Sequence, residues 1–230
     1  MTRLTNRVRN LLRIGHRGAA GHAPENTLAA LELAIEYGVD MVEFDVRRSA
    51  DGALVLLHDD SVDRTTNGVG GVENLSLRVL RELDAGGGER IPLLEEALAG
   101  LSGRAGVMIE LKVRGIAADV CALVKAADFQ GTVIYASFFH EELLPVRRLI
   151  GDAFTLALIE DVPIPYTAFA TAAEATHVGV ALDAVTPSLA KAFQEQGFKV
   201  FVYTVDEPTD IARMKRLGVD GIISNFPDRI

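Results

Sequence analysis

The chain has 230 residues, a single cysteine, and a formal charge of -9 from 23 basic and 32 acidic side chains. That acidic surplus argues against non-specific binding to nucleic acid or to an anionic membrane surface. The lone Cys121 excludes an intramolecular disulfide and a cysteine metal cage, and arginines interrupt the amino-terminal MTRLTNRVRNLLRIGHRG where a secretory signal or membrane span would need an apolar centre. The expectation is a cytoplasmic protein without stable membrane insertion, monomer or homodimer, built as one domain over 1–230. Arg3, Arg7 and Arg9 read as a solvated first helix or tail rather than a membrane-binding arm, and Cys121, in VCALVKAA, reads as core packing.

Apolar runs of strand character alternate with helical periodicity along most of the chain, the pattern of a parallel sheet with crossover helices. A short strand at 14–16 leads through Gly18 and Pro24 to a helix that starts near Asn26 or Thr27 and stops at Gly38. Next comes MVEFDVRRSADGALVLLHDD, from Met41. With period two, Met41, Glu43 and Asp45 share one face of a strand, while Val42, Phe44 and Val46 take the other. Asp51-Gly52 predicts a two-residue hairpin turn, an antiparallel return through Leu54 to Leu57, and delivery of His58 and Asp59 beside the two carboxylates. Residues 60–89 are turn-rich around one short helix starting at Ser76 and read as a small insertion covering one end of a site.

After Pro92 the alternation resumes, with strands beginning near 106, 132, 154, 177, 199 and 221, and helices opened by Thr186-Pro187 and by Pro208. The return strand after the hairpin cannot be parallel to its neighbour. Without it, the strands near 13 and 41 bring the parallel set to eight, which is a (β/α)8 TIM barrel with a short hairpin and loop insertion after the second strand. An open doubly wound sheet is the alternative, but no G-x-G-x-x-G turn follows the first strand.

In such a barrel, catalysis belongs at the carboxyl ends of the strands. His16, Arg17, Glu43, Asp45, His58, Glu110 and Lys112 gather there, with Glu110 and Lys112 on the same face as Met108. Unpaired charges in a barrel interior are very unfavourable. One solution is a structural network pairing Lys112 with Glu110 or Asp45, and Arg17 with Glu43. The other is a cation: three carboxylates against Arg17 and Lys112 leave one negative charge, and a divalent ion reverses it to suit a phosphodiester monoanion. Oxygen ligands of this kind fit Mg2+ or Ca2+ better than zinc. Spacing alone leaves both open.

IGHRG at 14–18, PENT at 24–27, VEFDVRRSADG at 42–52, LLHDDSVDRTTNG at 56–68, ERIPLLEEAL at 89–98, IELK at 109–112, TVDEPTD, and the terminal GVDGIISNFPDRI together resemble the glycerophosphodiester phosphodiesterases, in order, from about residue 13 to 230. The resemblance implies a TIM-barrel hydrolase that uses a divalent metal cation, Mg2+ or Ca2+, to cleave a small-molecule glycerophosphodiester to glycerol 3-phosphate and an alcohol. It implies His16 and His58 as acid and base, Glu43, Asp45 and Glu110 as metal ligands, and Arg17 and Lys112 as phosphate contacts. Tyr203 stands where many relatives have tryptophan, and Asn225 where an aspartate is common.

Phe138, at a strand end, is a candidate wall for the glycerol pocket and Tyr203 for the alcohol side. Glu25 and Asn26 are first helix-start residues and second candidate polar contacts. His22 is a loop residue near the site, His140 a surface residue and His177 a structural one. A lysophospholipase D-like specificity, or a barrel that binds a phosphate ester without turnover, are the alternative functions.

Overall fold

The computed structural model describes residues 11–230, so the arginine-rich stretch with Arg3, Arg7 and Arg9 lies outside the described residues. Eight parallel strands close into a barrel: β1 (Leu12–Gly15), β2 (Met41–Arg48), β4 (Gly106–Leu111), β5 (Val133–Ser137), β6 (Phe154–Ile159), β7 (His177–Ala181), β8 (Lys199–Tyr203) and β9 (Gly221–Ser224). Each pairs with the next, and β1 closes the ring by pairing with both β2 and β9. The helices α1 (Leu28–Glu36), α3 (Leu94–Leu101), α4 (Ala117–Ala126), α5 (Leu143–Leu149), α6 (Ala168–Ala172), α7 (Pro187–Glu195) and α8 (Pro208–Leu217) link consecutive strands.

The two-residue period sorts each strand into an inner and an outer face. Ile14, Met41, Met108, Ile134, Leu156, Leu158, Phe201 and Ile223 fill the barrel interior. Val42, Phe44, Val46, Ile109 and Leu111 point outward against Leu31, Leu94, Leu98, Val120 and Cys121. Val178, Val180, Val200 and Val202 do the same against Leu189, Phe193, Ile211 and Met214 on the other side. Cys121 is buried and free, as its apolar setting predicts.

The helix boundaries follow local chemistry. Thr27 caps α1, its hydroxyl accepting from the Ala30 amide at 3.3 Å. Thr186 caps α7 with Pro187 in the first turn, and α8 ends on Gly218 in the left-handed conformation. Gly18 has no alternative, since at φ +83° a Cβ would sit 2.4 Å from the Ala30 carbonyl carbon. The loop after β1 is thereby pressed onto α1.

The hairpin differs from expectation in its turn. β3 (Leu54–Leu56) pairs antiparallel with the end of β2, but Arg48 is opposite Leu54, so the loop covers 49–53. Asp51 Oδ1 accepts from Ser49 Oγ at 2.7 Å and from the Leu77 amide at 2.9 Å, which ties the turn to the start of α2 (Leu77–Leu80). The insertion beyond has its own small core of Val55, Leu57, Val62, Val72, Leu80, Ala85 and Ile91.

His177 starts β7 at the opposite end of the barrel from the charged cluster. It is buried, paired with Thr176 Oγ1 at 2.7 Å and set edge-on to Phe154 and Phe201. Burial, opposed by the Asp220 charge and assisted by Lys199, lowers its pKa from 6.5 to about 4. The unfolded chain therefore binds the extra proton between those values, and the stability that the neutral ring contributes is complete above pH 6.5 and lost as pH falls toward 4. In urea unfolding at pH 7.5 and pH 4.5, the loss of stability on acidification should be smaller in His177→Gln than in the unsubstituted chain by up to about 3 kcal/mol; equal losses in the two proteins would refute it.

Candidate active site

The mouth of the barrel is built from alternation and register. Asp45 on β2 lies opposite Glu110 on β4, and Glu43 opposite Met108, so both acidic positions of β2 face inward beside Glu110. Carboxylate oxygens of Glu43, Asp45 and Glu110 all lie within 4.8 Å of one another. Glu43 and Asp45 are buried, and the Glu110 side chain keeps only 12% of its surface.

Two cations partly balance them. Lys112 Nζ donates to Glu110 Oε1 at 2.8 Å and stands 3.6 Å from Asp45 Oδ1. Arg17 Nε stands 3.4 Å from Asp45 Oδ2, and its backbone amide donates to Glu43 Oε2 at 2.7 Å. The ion-pair network foreseen for these residues thus serves Asp45 and Glu110, while Glu43 receives a backbone amide and not a guanidinium. Glu43 Oε1 and Asp45 Oδ1 are buried without a hydrogen bond among the described residues. Burial and the neighbouring Asp45 charge push the Glu43 carboxyl well above its ordinary range. The same two causes raise Glu110 to about 7. Burial alone would raise Asp45 as well, but Lys112 and Arg17 outweigh it and hold its carboxyl below the usual value.

The backbone bends to supply these contacts. Arg17 and Asn26 occupy left-handed conformations, at φ +51° and +57°, which non-glycine residues hold only when surrounding bonds fix them. Asn26 Nδ2 donates to Asp45 Oδ2 at 2.8 Å while its Oδ1 accepts from the Asp45 amide at 3.1 Å. Arg17 Nη1 donates to Glu25 Oε1 at 2.8 Å. Glu25 and Asn26, read first as helix-start residues, are therefore part of the charged cluster.

The two histidines have different partners. His16 follows β1 and is set between Asn225, whose Oδ1 lies 2.7 Å from Nδ1, and Glu43, 3.9 Å from Nε2. Asn225 Nδ2 donates to Asp206 Oδ2 at 2.8 Å, so its Oδ1 accepts, the proton sits on His16 Nδ1, and the Nε2 lone pair is on the Glu43 side. Burial, then the Arg17 charge, lowers the His16 pKa to about 4, so the ring is neutral at pH 7. His58, delivered by β3, donates from Nδ1 to Asp59 Oδ1 at 2.7 Å, which leaves Nε2 as its second position, and its carbonyl is held by the Arg47 guanidinium.

A small cavity at the mouth is lined by His16, Glu43, Glu110 and Tyr203 above a floor of Met108 and Ile223. Tyr203 donates from its hydroxyl to the Ile159 carbonyl at 2.8 Å and meets Phe138 edge-on at 6.1 Å. Phe138 sits outside that cavity, its ring 5.8 Å from Lys112 Nζ. The remaining histidines stay apart from the cluster: His22 pairs with Asp228 at 2.8 Å, and His140, expected at the surface, is half-buried against Phe169 with Nε2 on the Leu158 carbonyl. Sequence reading missed Arg64, Asp206 and the bonding role of Asn225. Only the DRTTNG, TVDEPTD and SNFPD motifs, which contain Arg64, Asp206 and Asn225 in turn, signal them.

Comparison with known proteins points the same way. Residues 16–229 match the Glycerophosphoryl diester phosphodiesterase family. A glycerophosphodiester phosphodiesterase from Caldanaerobacter subterraneus subsp. tengcongensis is 35% identical, over 94% of this chain and 95% of its own. One from Bacillus subtilis is 30% identical, over 95% and 84%. Among solved structures, a phosphodiesterase from Oleispira antarctica in complex with the product sn-glycerol-3-phosphate superposes with a TM-score of 0.88 at 28% identity, covering 94% of each chain. A glycerophosphodiester phosphodiesterase from Agrobacterium tumefaciens gives 0.83 at 33%, over 95% of this chain and 98% of that one. The chain belongs to the glycerophosphoryl diester phosphodiesterase family.

Proposed function

We propose that this chain hydrolyses glycerophosphodiesters to glycerol 3-phosphate and an alcohol with the help of one divalent cation, Mg2+ or Ca2+. The observation that carries the reading is the pair of buried, unbonded oxygens, Glu43 Oε1 and Asp45 Oδ1, in a cluster where burial and mutual repulsion disfavour the very charges it concentrates. Hard oxygen donors converging within 4.8 Å suit such an ion, and Glu43, Asp45 and Glu110 are the residues that would hold it. When bound, the ion supplies positive charge to non-bridging phosphate oxygens.

The protein's own groups supply the rest. Arg17 and Lys112 attract the diester's negative charge and orient it against the cluster. His16, neutral and with its lone pair on Nε2, takes a proton from the attacking water as its oxygen forms the new P–O bond of glycerol 3-phosphate. His58 gives a proton from Nε2 to the alcohol oxygen as its bond to phosphorus breaks. Tyr203 and Phe138 form the aromatic side of the mouth on which the organic groups rest.

A second reading, a longer lipid alcohol, is favoured by one observation. The loop after β6, at the carboxyl end of the barrel, exposes Val162, Ile164 and Tyr166, with Ile164 at 90%. If that lip receives an acyl chain, Ile164→Ser should lower kcat/KM for a lysophospholipid several-fold and leave glycerophosphocholine unchanged; equal effects on the two would remove the lipid reading.

EDTA should abolish glycerol 3-phosphate release, and saturation with Mg2+ or Ca2+ at a hundred times Kd should stabilise the fold by about 2.7 kcal/mol in thermal melts. Glu43→Gln should lose most of that gain with little change in metal-free stability. Metal-independent turnover, or an unaltered metal response in the variant, would end the proposal.

His58→Ala should lower kcat for glycerophosphocholine by about 10²- to 10⁴-fold, and much less for an aryl ester of glycerol 3-phosphate whose leaving oxygen needs no proton. Equal losses on the two esters would remove the acid role.

A further inference from the structure

The insertion after β3 carries a residue with no part in the mechanism above. Val62 is fully buried in the insertion's core, and the Thr66 amide and hydroxyl both bond to its carbonyl, at 3.1 and 2.7 Å. The turn between them is thereby fixed and holds out Arg64. The Arg64 guanidinium makes four bonds to two carboxylates. Nε and Nη2 reach Asp59 Oδ2 and Oδ1 at 2.6 and 3.0 Å, while Nη1 and Nη2 reach Glu25 Oε2 and Oε1 at 2.8 and 2.7 Å.

The two oxygens that share Nη2 are themselves bonded to site residues. Asp59 Oδ1 also holds His58 Nδ1 at 2.7 Å, and Glu25 Oε1 also holds Arg17 Nη1 at 2.8 Å. A continuous line therefore runs from Arg17 through Glu25, Arg64 and Asp59 to His58. It joins the loop after β1 to the strand that delivers His58, two segments that are otherwise separate in sequence.

We infer that Arg64 is a positioning residue that locks His58 and Arg17 into one unit, so that the proton donor and a phosphate-binding guanidinium keep a fixed separation. This inference rests on the hydrolytic reading above. Only a planar guanidinium can present two parallel pairs of donors, one pair to each carboxylate; a lysine is a point charge. The Arg64 side chain is about half exposed, where a lone ion pair contributes little stability, so geometry and not adhesion is what four bonds at this place provide. Arg64 and Arg17 outweigh burial and hold Glu25 at about 2, and Arg64 holds Asp59 well below the usual carboxylate range, so both links are ionised at neutral pH. The insertion thus acts as a bracket for the site more than as a cover.

A kinetic double-mutant cycle tests this. Glu25→Gln and Asp59→Asn, alone and combined, are assayed for kcat/KM on glycerophosphocholine, with Arg64 present and in Arg64→Met, each variant first checked for native folding by circular dichroism. With Arg64, either substitution breaks the same unit, so the pair should cost less than the product of the single losses by about fivefold or more. In Arg64→Met the losses should multiply. Arg64→Met should also lose more on glycerophosphocholine than on the aryl ester, because displacement of His58 matters only where the leaving oxygen needs a proton. Coupling that persists without Arg64, no coupling in its presence, or equal losses on both esters with only a lower Tm, would overturn the inference while the hydrolytic reading stands. A wild-type protein that turns over neither ester would overturn both.

Discussion

Three carboxylates share the mouth of this barrel with two cations, and the rest of the site is arranged around that imbalance. Coulomb repulsion between like charges a few ångströms apart, largely removed from water, is among the most unfavourable terms a fold can carry. The responses are all visible. Lys112 sits on Glu110, Asn26 gives Asp45 both a donor and an acceptor, and Arg17 turns its backbone into a left-handed conformation to bring its amide to Glu43. Even so, one oxygen of Glu43 and one of Asp45 stay unbonded among the described residues, and Glu43 and Glu110 hold their protons more tightly than free carboxyls do. A cluster evolved only for stability would be simpler with one acidic residue fewer.

The scaffold pays for this elsewhere. Fully buried Phe44, Val46, Ile109 and Leu111 occupy alternate positions on the same two strands that carry the acids, and each such side chain contributes roughly 1.5–3 kcal/mol through burial. The strand register is therefore a constraint on chemistry as well as on packing. A slip of one residue in β2 would move Glu43 and Asp45 among the helices and send Phe44 into the mouth. Stability and site formation are the same requirement here, stated for the two faces of one strand.

That coupling explains what could be read from the sequence. MVEFDV and IEL alternate acid with apolar residues, so the inward trio and the outward core were legible together, as were eight parallel strands and the hairpin that brings His58. What escaped depends on meetings between loops distant in the chain. Asp206 reaches Asn225 and Arg64 reaches Glu25 across 39 residues, and no periodicity foretells such pairs. Asp51-Gly52 signalled a reversal correctly, but the loop is wider than two residues, and Asp51 bonds to the Leu77 amide, a tertiary partner no local pattern names. His140 lay in a polar run and looked exposed, yet the Leu158 carbonyl and the Phe169 ring draw it inward.

The two histidines show how one side chain type can be given different settings by the partner of its Nδ1 nitrogen. An amide oxygen on His16 Nδ1 fixes the tautomer without adding charge, a setting suited to a ring that is neutral until a proton arrives. Asn225 is able to do this because Asp206 binds its amide nitrogen and prevents the side chain from turning over. His58 instead rests on a carboxylate, a partner suited to a ring that carries a proton to be given away. An aspartate at 225 would make the two environments alike and remove this distinction.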